Sequence, residues 1–316
     1  MNGPFTTTCI ALLALSAAGC STETAPSTAI LGSIPLLDRF EGSEWSEPIH
    51  VGAPISTPFR ELRAQLSPDE LSLYLASDRP GGVGAFDIWV SRRGCLDCPW
   101  EEPANLGPNI NSAGGDGGPA LSKDGMLLFF SGSRAGGFGG EDIWMSRRTN
   151  PSDDLSWQPA VNLGPMVNTA GTEGGPAYAP ALGAEGANLY FGRDGDLYRV
   201  RVSRDGDAQD VAVPVTELNH PTAVDAEATI RADGKEIYFW STRPGSRGAD
   251  LWVSTRQSAH EAWSTPVNVA EFNTAAADLT PALSHDGRTL LFAAGFAGRG
   301  GLGFQDIWMS TRRESR

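Results

Sequence analysis

One short motif, an Asp followed by Ile or Leu and then by an aromatic residue, occurs five times in the 316 residues of this chain. Successive copies lie 55, 54, 54 and 56 residues apart. A nearly constant period of this length is typical of the blades of a β-propeller. The copies are Asp87-Ile88-Trp89, Asp142-Ile143-Trp144, Asp196-Leu197-Tyr198, Asp250-Leu251-Trp252 and Asp306-Ile307-Trp308.

Each repeat has the pattern of four short strands. In the clearest copy, an apolar run at 119–122 is followed by the turn Asp124-Gly125, an alternating run at 126–131 and then the triplet. Short runs of β-branched and aromatic residues between turn residues predict strands, and Asp-Gly suits a tight hairpin. A fourth strand that begins with Trp157 follows after a variable loop. The sequence therefore predicts an all-β fold.

The two ends of the repeat array complement each other. A copy of the fourth strand, beginning at Trp45, precedes the first repeat, whereas the last repeat stops at Arg313 without one. We expect the N-terminal strand to complete the last blade, because a closed ring leaves no strand edge unpaired. The prediction is one propeller of five four-stranded blades in residues 41–316, with six blades as the alternative.

The repeats resemble the WD-repeat-like propellers of TolB-type and other exported bacterial proteins over about residues 45–316. The resemblance is carried by Leu66-Ser67-Pro68-Asp69, by the runs 73–79 and 237–243, and by the triplets. TolB-type members look six-bladed, so the count of five departs from them. The resemblance implies a propeller but no particular activity, since this fold serves many functions.

The N-terminus looks like a bacterial lipoprotein signal. Residues 1–19 carry no charge, contain an apolar run from Ile10 to Leu15, and end in small residues before Cys20. The resemblance implies a signal peptide at 1–19, lipidation of Cys20 and a tether at 20–40. An ordinary secretory peptide is the alternative. Ser21 resembles outer-membrane sorting, so we expect an outer-membrane lipoprotein that faces the periplasm or the cell surface.

Charge limits the partners of the body. With 38 acidic and 24 basic residues the net charge is −14, which argues against nucleic acid and anionic membrane surfaces. The apolar run from Ile10 to Leu15 is shorter than the about 20 residues of a membrane span, and no other stretch approaches that length, so we expect membrane contact through the lipid anchor only. We expect a monomer whose partner is an envelope protein or a peptidoglycan-associated protein.

Cys95 and Cys98 are the two cysteines left after the signal region. Such a pair is a disulfide, a redox dithiol or half of a zinc site. No second pair completes a zinc site, and an exported protein favours a structural disulfide.

An acid precedes the first strand of every repeat, and these five residues are called the rim acids: Glu61, Asp116, Glu173, Asp225 and Asp278. An Arg follows 18 or 20 residues later in four repeats: Arg79, Arg134, Arg193 and Arg243. In antiparallel strands each acid and its Arg should share one rim of the propeller. In the fifth repeat Phe296 stands at that spacing, so Asp278 lacks its Arg unless Arg299 bends back.

Two interpretations of the rim acids follow. Repetition favours structural ion pairs, since a fold constraint recurs in every blade whereas a catalytic group is needed once. The other interpretation is a ligand rim that binds a cation, an amine or sugar hydroxyls, with Asp278 as its best candidate. No cofactor or metal is predicted, although carboxylates crowded in the third repeat suggest calcium as an alternative: Asp194, Asp196, Asp205, Asp207 and Asp210.

The function that these patterns favour is a non-catalytic, lipid-anchored module for binding or scaffolding in the cell envelope. The alternative is a carbohydrate-binding protein or glycosidase centred on the funnel, because glycosidases need two carboxylates with separate roles. The repeats offer acids without evident asymmetry outside the fifth one. An enzyme is therefore the less favoured prediction, and no catalytic residue is assigned.

Overall fold

The computed structural model describes residues 44–180 and 186–312, except for the side chain of residue 296. All of these residues belong to one compact unit. The signal peptide, the tether and the lipidation expected at Cys20 lie outside the described residues. Within the described part, no helix has the length and apolar character needed to cross a membrane.

The described residues form five antiparallel sheets of four strands each. A first short strand, β1 (Ile49–His50), precedes four complete blades. Blade one contains β2 (Glu61–Leu66), β3 (Ser72–Ser77), β4 (Asp87–Arg92) and β5 (Ala104–Asn105). Blade two contains β6 (Asp116–Leu121), β7 (Leu127–Gly132), β8 (Asp142–Arg147) and β9 (Val161–Asn162).

The remaining blades follow the same order. Blade three contains β10 (Glu173–Pro180), β11 (Ala187–Arg193), β12 (Asp196–Val202) and β13 (Val213–Pro214). Blade four contains β14 (Asp225–Ile230), β15 (Glu236–Ser241), β16 (Asp250–Thr255) and β17 (Val267–Asn268). Blade five contains β18 (Asp278–Leu283), β19 (Thr289–Gly295), the one-turn helix α1 (Phe296–Arg299), β20 (Gln305–Thr311) and β1.

The ring closes as the sequence predicts. Strand β1 pairs with β20, with Ile49 opposite Met309 and His50 opposite Trp308. Trp45 adds an isolated bridge to Arg312. The N-terminal segment therefore supplies the outer strand of the last blade. The five-bladed prediction is confirmed, and the six-bladed alternative is wrong.

The apolar core lies between blades rather than within them. Five clusters of buried residues each span one pair of neighbouring blades. The tryptophan of a triplet belongs to such a cluster: Trp89 of blade one packs with Leu291 and Ile307 of blade five. Burial of apolar side chains between neighbouring blades therefore stabilises the ring.

Two side-chain devices repeat with the blades. In the hairpin after β6, the Ser122 hydroxyl donates to Asp124 at 2.6 Å, and Gly125 adopts a φ of 69°, which favours glycine. At the other end of the blade, the Asn111 amide exchanges hydrogen bonds of 2.8 and 2.9 Å with the backbone of Ile88. These are the turn and rim contacts expected of such residues.

The loop between β4 and β5 contains the disulfide between Cys95 and Cys98, whose Cα atoms are 5.0 Å apart. The backbone N–H of Cys98 also donates to the carbonyl of Cys95. The pair therefore closes a local turn. Of the three possibilities for a Cys-x-x-Cys sequence, this is the structural disulfide.

Candidate functional site

We call the face where the innermost strand of each blade begins the upper face. The rim acids stand at these starting points and are fully buried. Arg79 lies 3.3 Å from Glu61, and Arg193 lies 2.9 Å from Glu173. Arg134 and Arg243 contact Asp116 and Asp225 at 2.5 Å.

Each rim arginine also covers an aromatic ring of its own blade. Arg243 lies 5.1 Å above the ring of Trp252 and donates to the carbonyl of Leu218. Such contacts hold the guanidinium between the triplet aromatic and the loop that enters the blade. With their carboxylates occupied in this way, the role of the rim acids as ligand binders stays a prediction, and the ion pairs tie each entering loop to its hairpin.

Blade five departs from the other four. Arg299, which belongs to α1, does bend back, but its Nε atom lies 3.7 Å from Asp278 Oδ1. The other carboxylate oxygen accepts the backbone N–H and the hydroxyl of Thr274 at 2.6 and 2.9 Å. Burial raises the pKa of Asp278 to about 6, and the Thr274 hydrogen bonds and Arg299 offset this only in part.

Asp278 should make stability depend on pH. Since its pKa rises from 3.8 to about 6 on folding, the folded state holds a proton that the unfolded chain releases. The contribution is fully present below pH 3.8 and is lost as pH rises to about 6 and beyond. We expect Asp278→Asn to raise the free energy of unfolding at pH 8 by up to about 3 kcal/mol, with little change at pH 4.

Urea unfolding at several pH values checks this expectation. Asp97→Asn is the matched control, because Asp97 is exposed in the disulfide loop. An Asp278→Asn curve that runs parallel to that of the unmodified protein from pH 4 to 8 would contradict the assignment.

The repeats diverge at the third position of the innermost strand. The backbone conformation at this position is the same in all five blades: the residue lies at a β-bulge and has a φ between 50° and 64°. Bulges often re-aim a side chain next to a functional site. The five residues ring the central channel but share no chemistry: Arg63, Gly118, Gly175, Glu227 and Thr280.

Arg63 crosses the channel from blade one to blade four. Its Nη2 atom contacts Glu227 Oε1, its Nη1 atom lies 4.0 Å from Glu141 Oε2, and Nη1 donates to Ser131 Oγ at 3.0 Å. Gly117 of blade two lies beside this path: a Cβ there would be 3.6 Å from Arg63 Nη1, which is an ordinary contact distance. We call Arg63, Glu141 and Glu227 the mouth cluster.

The charges of the mouth cluster act on one another. Burial by itself would lower the pKa of Arg63, but the charges of Glu227 and Glu141 outweigh it and raise the pKa above the usual value. The Trp240 indole N–H donates to the second oxygen of Glu227 at 2.9 Å. Glu227 is therefore held by two donors from opposite sides of the channel.

The mouth cluster borders an open cleft on the upper face with a volume of about 150 Å³. Leu62, Ala76 and Phe86 form its apolar wall, and Glu141 and Arg63 form a polar edge. The side chain of Glu141 is 37% exposed. Gly174 lies next to its carboxylate, and a Cβ at Gly174 would be 3.2 Å from Glu141 Oε2. The cleft can therefore admit a ligand to the carboxylate.

The repeat pattern did not predict the mouth cluster. Positions shared by the repeats indicate the rim acids, whereas the mouth cluster occupies positions at which the repeats differ. Glu141 precedes the triplet of blade two, where the other blades have Phe86, Gly195, Ala249 and Gln305. Superposing the five repeats and looking for unlike residues would have identified both glutamates.

The carboxylates suggested for calcium make other contacts. Asp194 accepts the backbone N–H of Thr172 at 3.0 Å, Asp207 lies 3.3 Å from Arg147, and Asp210 lies 2.6 Å from Arg201. In the described part of the chain, no three His, Cys, Asp or Glu residues are arranged to hold a metal ion.

Neither a protein-family model nor a curated protein matches this sequence. Solved structures do match the fold. An α-L-arabinofuranosidase from Lactobacillus brevis superposes with a TM-score of 0.60 at 13% identity, covering 82% of this chain and 92% of that one. Native Bacillus subtilis arabinanase Arb43A gives 0.57 at 11%, covering 84% and 97%. A thermostable family-43 glycoside hydrolase gives 0.56 at 12%, covering 83% and 92%.

These matches confirm the propeller fold and correct two expectations. The resemblance to TolB-type, WD-repeat-like proteins is wrong, because the matching propellers are glycoside hydrolases. The expectation of a non-catalytic protein-binding scaffold rested on that resemblance and on an absence of asymmetric carboxylates. Both premises fail, the second because Glu141 and Glu227 stand at unlike positions of the repeat.

Proposed function

We propose that this protein is a glycoside hydrolase whose site is the mouth cluster. The observation that carries the proposal is a pair of carboxylates, Glu141 and Glu227, held on either side of one arginine beside an open cleft. Enzymes of this class cleave a glycosidic bond between two carboxyl groups with separate roles. The fold similarity to arabinanases and arabinofuranosidases supports the proposal without deciding it.

The contacts of Arg63 set an upper limit on the separation of the two carboxyl groups, and this limit is compatible with such chemistry. Because a single guanidinium group lies between them, their nearest oxygens are at most roughly 9 Å apart, and carboxyl pairs of glycosidases span about 5–9.5 Å. Arg63 fixes this spacing by contacting both residues. Its own backbone N–H donates to Thr280 Oγ1 at 3.2 Å, which anchors it to blade five.

The surroundings assign a different role to each glutamate. Glu227 accepts from Arg63 and from Trp240, and an ionised carboxylate is the form that only accepts. We therefore assign Glu227 as the base that removes a proton from the attacking water. Glu141 is farther from Arg63 and reaches the cleft, so we assign it as the acid that protonates the leaving oxygen.

Proton and bond changes balance in this scheme. The water oxygen attacks the anomeric carbon as the bond from that carbon to the leaving oxygen breaks. Glu227 takes one proton from the water while Glu141 gives one to the leaving sugar. The two residues then exchange protons with solvent, and no cofactor is consumed.

The substrate class is proposed from the fold matches. The matching structures include an arabinofuranosidase and an arabinanase, so pentose polymers are the first substrates to test. The protein should release reducing sugar from arabinan, arabinoxylan or xylo-oligosaccharides, whereas the double variant Glu141→Gln/Glu227→Gln should not. Equal release by both proteins would point to a contaminant and contradict the proposal.

We propose that the enzyme works outside the cytoplasm as a lipid-anchored protein. The signal-like residues 1–19 and Cys20 support export, and the Cys95–Cys98 disulfide suits an oxidising compartment. Replacing Cys20 by Ala should abolish incorporation of labelled palmitate during expression in bacteria. Labelling that persists in this variant would exclude the lipidation site.

A further inference from the structure

The opposite end of the channel contains a second cavity, which we call the lower cavity. It is small, with a volume of about 50 Å³, and receives residues from all five blades. The Arg63–Glu227 contact lies between it and the upper cleft. The lower cavity is therefore separate from the proposed catalytic site.

The chemistry of the lower cavity is unlike that of the rest of the molecule. The protein has a net charge of −14, yet no Asp or Glu is among the described residues that line this cavity. Its polar lining consists of Ser, Thr and Gln together with Lys123, Tyr178 and His285. The described part of the cavity wall thus lacks acids although the protein is acidic, and it has a cation at its edge.

Three groups of the lower cavity are available to a ligand. Among the described residues, the Lys123 ammonium, the Tyr178 hydroxyl and the His285 ring have no hydrogen-bond partner of their own. All three can donate a hydrogen bond. Tyr178 is fixed by stacking on Phe129, with ring centroids 6.0 Å apart.

Two carboxylates lie near these donors, Asp124 near Tyr178 and Asp286 near His285, and both are engaged in hairpin turns. Asp124 is next to Lys123, but it accepts the Ser122 hydroxyl and the Met126 N–H in its hairpin turn. Asp286 is held in the same way by Ser284 and lies near Arg288. Burial and then the charge of Lys123 lower the pKa of His285, which places the ammonium close to that ring.

We propose that the lower cavity binds a small oxyanion, a carboxylate or phosphate group, between Lys123, Tyr178 and His285. A charged donor and two neutral donors suit an oxygen-bearing anion. A uronate sugar and a phosphate ester both present this group. The inference does not depend on the proposed hydrolase activity, because it uses none of the mouth cluster.

Titration of the protein with inorganic phosphate, glucuronate and uncharged glucose, at constant ionic strength and followed by NMR, tests the proposal. Phosphate or glucuronate should perturb the signals of the lower cavity, and glucose should not. A larger effect of glucuronate would favour a uronate source, and a larger effect of phosphate a phosphate ester. Absence of saturable binding by both anions would overturn the proposal.

Lysine variants provide the control. The charge change is identical in Lys123→Gln and Lys235→Gln, but Lys235 does not line the cavity. We expect Lys123→Gln to weaken anion binding about tenfold, Tyr178→Phe to weaken it to a smaller extent, and Lys235→Gln to leave it unchanged. Equal weakening by the two lysine variants would mean that the overall charge of the protein, and not a site at Lys123, controls anion binding, and it would overturn the proposal.

Discussion

Glu227→Gln is expected to lower kcat/KM on a pentose polymer by about 10²–10⁴-fold, since it removes the base while nearly conserving the shape of the side chain. The loss should fall on kcat more than on KM, because Glu227 lies in the channel beneath the cleft rather than along its wall. Initial rates over a range of substrate concentrations measure both constants.

The matched control for this substitution is Glu217→Gln. Glu217 is exposed in the loop that enters blade four, so its variant should retain full activity. Because Glu227→Gln leaves the Arg63 charge partly uncompensated, its unfolding midpoint has to be measured alongside. A folded Glu227→Gln protein with unreduced kcat would eliminate Glu227 as the base.

Trp45→Ala is expected to destabilise the folded ring by about 3–5 kcal/mol. Trp45 is 4% exposed and makes edge contacts with Tyr238 at 6.2 Å and Phe272 at 5.8 Å. Arg312 lies over its ring at 4.6 Å. The tryptophan therefore joins the N-terminal segment to blades four and five, and its loss should weaken the contact that closes the ring.

Chemical denaturation compares this variant with Ile49→Ala, which alters the same segment at a side chain that is 57% exposed. The control should change stability by no more than about 0.5 kcal/mol. If Trp45→Ala were equally mild, the closing N-terminal segment would contribute little to the stability of the ring, which would contradict this prediction.

The architecture was predictable because every blade repeats the same physical solution. The triplet spacing gave the number of blades, and the unmatched strand at Trp45 gave the closure that the pairing of β1 with β20 confirms. The rim acids and their arginines were also visible, since the 18-residue spacing reflects an antiparallel pair. Repetition makes such features detectable in a single sequence.

The candidate site was not predictable by the same route. Arg63, Glu141 and Glu227 come from blades one, two and four, and their meeting depends on a bulge that turns each innermost strand into the channel. The repeat period of a sequence does not indicate which of the differing residues face one another across the central channel. The glycines of blades two and three that lie beside Arg63 gain meaning only once the fold is known.

The most direct test of the proposed function is a crystal structure of the Glu227→Gln variant soaked with an arabino- or xylo-oligosaccharide. The proposal predicts sugar density in the upper cleft, with the glycosidic oxygen within hydrogen-bond reach of Glu141 and the anomeric carbon facing residue 227. Density that lies elsewhere on the propeller, or an empty cleft at saturating sugar, would contradict the assignment of the mouth cluster as the hydrolytic site.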